Sequence, residues 1–141
     1  MEDDLALTYE ITKNAMRGYV EQTWGTWEEE EQVHKHRQNY TPATHQIVLI
    51  KGEPAGLIAV EDEPDYLWLV KLYILQEHRG KGIGTELLKQ VLDHAIHTNK
   101  GVRLRVLRVN TKAQALYLRQ GFVVTAETDQ RLFMQSAASG A

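Results

Sequence analysis

The chain has 141 residues, long enough to bury most of its apolar surface as one domain without staples. Hydrophobic residues make up 43% and charged residues 25%, a globular rather than disordered balance, and the absence of cysteine excludes disulfide scaffolds and thiolate metal sites. The net charge of −3 hides a split: residues 1–31 carry nine acids against two Lys/Arg, and residues 79–119 carry nine Lys/Arg against two acids, which points to one surface for a cation and another for an anion.

No apolar run approaches the ~20 residues of a membrane helix. Met1-Glu2-Asp3-Asp4 is acidic where a signal or transit peptide would be basic. A cytoplasmic location with no membrane partner is therefore expected. In chain order, Leu5, Tyr9, Met16, Tyr19, Val20 and Trp24 predict an amphipathic helix over residues 5–24. A charged helix over Glu28–Tyr40 follows and stops before Pro42. Ile47–Ile50, Leu57–Val60 and Tyr66–Leu75, separated by turns at 51–54 and 62–65, read as an antiparallel meander whose third, apolar strand is central.

Residues 82–98 give the clearest helix, with Gly84, Leu87, Leu88, Val91, Leu92 and Ala95 on one face. A strand at 102–109 leads to a short helix at 112–120 capped by Asn110 or Thr111. Strands near 122–126 and 131–135 close the chain, and residues 135–141 are expected as a frayed tail of a single domain spanning 1–141. Helices, a meander, then alternating strands and helices make a mixed α/β sheet domain.

Arg79-Gly80-Lys81-Gly82-Ile83-Gly84 lies between the long apolar strand and the clearest helix. Alternating glycines let a backbone approach a ligand, and the first amides of a helix attract anions. A pyrophosphate is the expected guest. A Walker loop requires a Gly-Lys-Ser/Thr ending, and a dinucleotide fingerprint requires G-x-G-x-x-G after a first parallel strand. Neither spacing is present.

The stretch Gln76–Gly84 instead resembles the acyl-CoA signature R/Q-x-x-G-x-G/A of the GNAT superfamily of N-acetyltransferases. Leu104-Arg105-Val106 through Val109-Asn110, then Ala113, Ala115-Leu116-Tyr117 and Gly121-Phe122, is similar to that superfamily's second block. The resemblance implies a mostly antiparallel sheet flanked by helices and splayed between its central strands, here 66–75 and 102–109. It also implies acetyl-CoA as co-substrate, pantetheine on the backbone of Leu72, Tyr73 and Ile74, pyrophosphate at Arg79, Gly80, Lys81, Gly82, Ile83 and Gly84, and Asn110 beside the pantetheine. Tyr117 stands where the superfamily often keeps a general acid.

Two departures matter. The helical pattern begins near Leu5, so the superfamily's first strand is shortened or missing. The central strand offers Lys71, Tyr66 and Tyr73 but no acid, which leaves the general base unassigned. Without cysteine, transfer goes by direct attack in a ternary complex, to a small-molecule or peptide amine. A non-catalytic acyl-CoA-binding module is the alternative. Glu28–Glu31, beside Trp24 and Trp27, argue for a cationic amine. The six histidines lack a metal-ligand pattern, so no metal is expected, and CoA phosphates account for the basic segment without nucleic acid. A homodimer is among the assemblies the resemblance allows.

Overall fold

The computed structural model describes residues 2–136. Its elements run α1 (Glu2–Trp24), α2 (Glu29–Asn39), β1 (His45–Ile50), β2 (Glu53–Asp62), β3 (Tyr66–Ile74), a 3-10 turn (Gln76–His78), α3 (Ile83–His97), β4 (Gly101–Leu107), α4 (Thr111–Arg119), β5 (Val123–Glu127) and β6 (Arg131–Gln135). The six strands form one open sheet in the order β1-β2-β3-β4-β6-β5. Three ladders, β1–β2, β4–β6 and β5–β6, are antiparallel, and β3–β4 is parallel. α1 is the first element among the described residues.

By contact density the chain divides into two compact units, Met1–Ala59 with Lys71–Lys81, and Val60–Val70 with Gly82–Ala141. In the first unit Tyr9, Ile11, Val20, Ala55, Leu57, Ile58 and Ala59 are buried. The expected four-residue turn at 51–54 is in fact two residues. Lys51 at φ 53° and Gly52 at φ 81° make the tight hairpin whose twist suits antiparallel strands, so Ile50 pairs with Glu53 and β2 starts earlier than its apolar run.

In the second unit Leu88, Val91 and Ala95 form the inner stripe of α3. The alternating residues Val102, Leu104 and Val106 of β4 are buried with Leu67, Leu69, Phe122 and Met134. β4 stops at Leu107, short of the expected 109, because the Asn110 N–H returns to the Leu107 carbonyl at 3.0 Å and turns the chain into α4. The tail starts later than expected. Gln135 belongs to β6, and Ser136 is buried with its hydroxyl accepting from the Val102 N–H at 2.8 Å. The remainder of the expected frayed segment, 137–141, lies outside the described residues.

Candidate functional site

The glycine-rich turn enters α3 through Gly82, which has φ 78° and ψ 8°, while Gly80 has φ 79°. A residue with a Cβ resists this left-handed region by ~1–2 kcal/mol. Apart from chain neighbours, nothing lies within 4 Å of where a Cβ would stand on either glycine. Both backbones are therefore open to an approaching group. Gly82 supplies no side-chain cap, and the Glu86 N–H, bonded to the Gly82 carbonyl at 3.0 Å, opens the helix ladder. The amides of Ile83, Gly84 and Thr85 precede that first bond and sit at the positive end of the helix. This open cradle fits a phosphate-bearing ligand such as the CoA pyrophosphate.

The two basic residues of the turn differ. Lys81 is exposed. Arg79 turns back, its Nε donating to the Ile74 carbonyl at 2.8 Å, so it braces the end of β3. Leu72, Tyr73 and Ile74 are half-buried on that strand. The β3–β4 ladder covers three pairs, Tyr66↔Gly101, Leu67↔Val102 and Trp68↔Arg103.

Asn110 and Tyr117 belong to the second unit. The Asn110 Oδ1 accepts from the Ala113 N–H at 3.2 Å, which makes Asn110 the cap of α4. Tyr117 is 8% exposed and its ring lies 5.6 Å from that of Phe122. Of the acidic group, Glu29 pairs with Lys13 at 2.8 Å and accepts from the Trp27 Nε1–H at 2.9 Å, and Glu31 pairs with Lys35. Glu28 and Glu30 make no ion pair among the described residues.

Sequence reasoning missed a buried polar cluster in the first unit. His36 and His45 are 6% and 8% exposed. The His36 Nε2 and the Thr8 hydroxyl are 2.8 Å apart, and that hydroxyl donates to the Leu5 carbonyl. With the hydroxyl proton so committed, His36 carries its proton on Nε2 and its Nδ1 is a buried lone pair without a partner among the described residues. The His45 Nδ1 lies 3.0 Å from the Thr41 carbonyl, and its Nε2 is likewise unpartnered. Burial and then the Lys71 charge push His36 down to about 4 and lower His45 as well. Lys71 itself is pushed down to about 8 by burial. The available signal was one lysine inside an otherwise apolar strand. Among the described residues no group of three His, Cys, Asp or Glu could hold a metal ion, and no helix is long and apolar enough to cross a membrane.

Comparison with known proteins gives the family. The model of the acetyltransferase (GNAT) family matches residues 8–122. The spermine/spermidine N(1)-acetyltransferase of Bacillus subtilis is 32% identical over 79 residues, 52% of each chain. The thialysine N-epsilon-acetyltransferase of Mus musculus is 43% identical over 54 residues, 36% of this chain and 31% of that protein. The chain thus matches about half the length of the first of these curated relatives and less of the second. The crystal structure of PaiA N-acetyltransferase from Thermoplasma acidophilum, in complex with coenzyme A, superimposes with a TM-score of 0.76. It is 19% identical and covers 95% of this chain and 92% of that one, a likeness of fold.

Proposed function

The chain belongs to the acetyltransferase (GNAT) family, and from that premise we propose that it transfers an acetyl group from acetyl-CoA to a primary amine by direct attack in a ternary complex. The observation that carries this reading is the open Gly80–Gly82 backbone ahead of the uncapped start of α3. Bound acetyl-CoA would supply the activated acyl thioester. On this reading the amides of residues 79–84 and the Lys81 ammonium hold its pyrophosphate, the backbone of Leu72, Tyr73 and Ile74 aligns the pantetheine, and Asn110 orders the same arm while capping α4. A backbone N–H near Leu72 to Ile74 would stabilise the oxyanion, and the Tyr117 hydroxyl would protonate the CoA sulfur as the C–S bond breaks, with the attacking amine's proton passing through water to restore the phenol. The family model running through both compact units supports their acting as one domain. A cytoplasmic location accords with the absence of cysteine, and a homodimer with the exposed Leu118, Val123 and Val124.

One observation favours the second reading, a non-catalytic acyl-CoA-binding module: Tyr117 is packed against Phe122 as a core residue would be. Paired variants separate the two. Gly82→Asn keeps a residue that tolerates left-handed backbone but places a side chain over the cradle. It is expected to weaken acetyl-CoA binding by calorimetry at least about tenfold while the protein stays folded by circular dichroism. Tyr117→Phe removes one oxygen and is expected to cut kcat ~10²–10⁴-fold at unchanged acetyl-CoA affinity. Unchanged affinity in the first variant defeats the cofactor site. Full activity in the second returns Tyr117 to packing, and no CoA release with any amine leaves the binding module.

A further inference from the structure

Within the second unit, one face of the sheet is covered and the other is open. Along β4 the buried residues Val102, Leu104 and Val106 alternate with exposed Arg103 and Arg105. The register carries that alternation to the neighbouring strands. Trp68 of β3 pairs with Arg103, and on β6 Gln135 lies opposite Arg103, Phe133 opposite Arg105 and Arg131 opposite Leu107. These side chains therefore share the open face. Tyr66, two residues before Trp68, lies on it too, with the Arg103 guanidinium 4.2 Å from its ring centroid and the Trp68 ring 6.5 Å away. The aromatic rings of this face are only half-buried. None of the positions named on it is Asp or Glu, and Arg103 and Arg105 form no ion pair with a carboxylate among the described residues. Burial and then the Arg105 charge lower the titration of Arg131, so these two guanidinium groups lie near enough to repel. Like charges gathered on one face cost stability until an anion answers them. CoA phosphates account for the turn at 79–84 but not for arginines on β4 and β6, and here the expectation of no nucleic-acid partner gives way.

From this row of guanidinium groups set among aromatic rings we infer that the open face of β3, β4 and β6 binds single-stranded RNA, with phosphates on Arg103 and Arg105 and unpaired bases on Trp68 and Phe133. The inference does not rest on the transferase reading. Guanidinium groups match phosphate oxygens through paired N–H donors, and flat aromatic rings stack on bases of any sequence. Arg103 meets Tyr66 through its central carbon, a contact that leaves N–H donors for a phosphate. Trp68 and Phe133 are two strands apart and offset by two residues, roughly 12 Å, so bases on the two rings would have a nucleotide between them. A duplex keeps its bases stacked inside the helix, out of reach of such rings. The Gln135 amide, beside Arg103, both donates and accepts, as a ribose 2′-hydroxyl requires and a deoxyribose does not. Glu63 and Asp65, in the turn before Tyr66, bound the face on that side and direct the strand across β4 and β6.

The probe is a fluorescein-labelled RNA of mixed sequence about eight nucleotides long, compared with DNA of the same sequence and with the RNA annealed to its complement. Anisotropy gives the affinity at about 50 and 200 mM salt, and tryptophan emission reports stacking on Trp68. The single-stranded RNA is expected to bind at least about fivefold tighter than the DNA or the duplex. Two or three phosphate contacts predict a roughly tenfold loss of affinity across that salt range. Arg103→Gln and Arg105→Gln, both at exposed positions, should each weaken binding and flatten the salt dependence. Phe133→Leu should cost at least about fivefold. Trp68→Phe should keep most of the affinity and lose the quenching of tryptophan emission. Saturating acetyl-CoA should leave RNA affinity unchanged. No RNA binding at the lower salt, DNA or duplex bound as tightly as the RNA, or an unchanged salt dependence in both arginine variants overturns the inference. Displacement of the RNA by acetyl-CoA would put it on the glycine-rich turn and overturns the inference equally. Circular dichroism checks that each variant is folded, and the two exposed arginines carry the test if Phe133→Leu is not.

Discussion

Lys71 and His36 show how single residues trade stability for buried nitrogen chemistry. His36 is pushed down to about 4 from its ordinary 6.5. The unfolded chain therefore binds a proton that the folded chain refuses between those values, and stability falls as pH drops from 6.5 towards 4. His45 is lowered for the same reasons and adds to the loss. Lys71 works in the opposite sense at high pH. Its folded value of about 8 lies below the ordinary 10.5, so at neutral pH the buried ammonium costs stability, and the cost is relieved as pH rises from 8 to 10.5. His36 is bordered by Thr8 and Tyr9 from α1 and by Tyr40 just after α2, and Tyr40 in turn meets His45 from β1. None of these brings a carboxylate to compensate. Lys71→Met is expected to stabilise the protein at pH 7 by roughly 1–3 kcal/mol and to flatten the gain above pH 8. Urea titrations at pH 5, 7 and 9.5 check it, and a variant less stable than wild type at pH 7 would show that the lysine has a compensating partner.

Two elements depend on close contacts whose removal can be measured. In β2, a Cβ placed on Gly56 would stand 2.2 Å from the Tyr73 carbonyl oxygen and 3.3 Å from the Ile74 Cα, backbone atoms that cannot swing aside. Gly56→Ala therefore has to spread β2 from β3 and is expected to cost about 2–4 kcal/mol, the upper range of single substitutions. Chemical denaturation reads it, and a loss under 0.5 kcal/mol would mean that the strands part at little cost. In α4, Asn110→Ala removes the cap on the Ala113 N–H and should cost ~1 kcal/mol. Asn110→Ser keeps a capping oxygen and should restore most of that stability. If Asn110 also orders the pantetheine, the serine variant recovers stability without recovering acetyl-CoA affinity. Recovery of both would reduce Asn110 to a cap.

At the scale of the whole molecule, the opposed charges of residues 1–31 and 79–119 take specific forms. In the first unit, Glu29 and Glu31 answer Lys13 and Lys35, so two of the four glutamates of Glu28–Glu31 are already paired within their own unit. In the second, Arg108 meets Glu127 and Lys100 meets Asp62, whereas Arg103 and Arg105 form no ion pair with a carboxylate among the described residues. Net charge by segment thus says less about partners than which of these charges already have one within their own unit. Ion pairs at a surface each contribute little, so this distribution governs what binds more than how stable the protein is.

The sequence by itself determined the parts of the molecule whose signals are local. Apolar periodicity placed four helices and six strands, a capping side chain ended β4 at α4, and the glycine spacing marked the turn before α3. Each of these is written within a few neighbouring residues, in a backbone preference or an alternation of period 2 or 3.6. The same locality explains the difference at the first hairpin: Pro54 marks a longer turn in the local sequence, and only pairing with Leu49 across the hairpin recruits that proline into β2. Tertiary structure alone decided that His36, His45 and Lys71 share one interior, and that Arg131 and Phe133 join the face of Arg103, Arg105 and Tyr66. Those groupings depend on strand register and on which helix covers which face. A slip of one residue would reverse every side chain on a strand, and no short stretch of sequence records the choice.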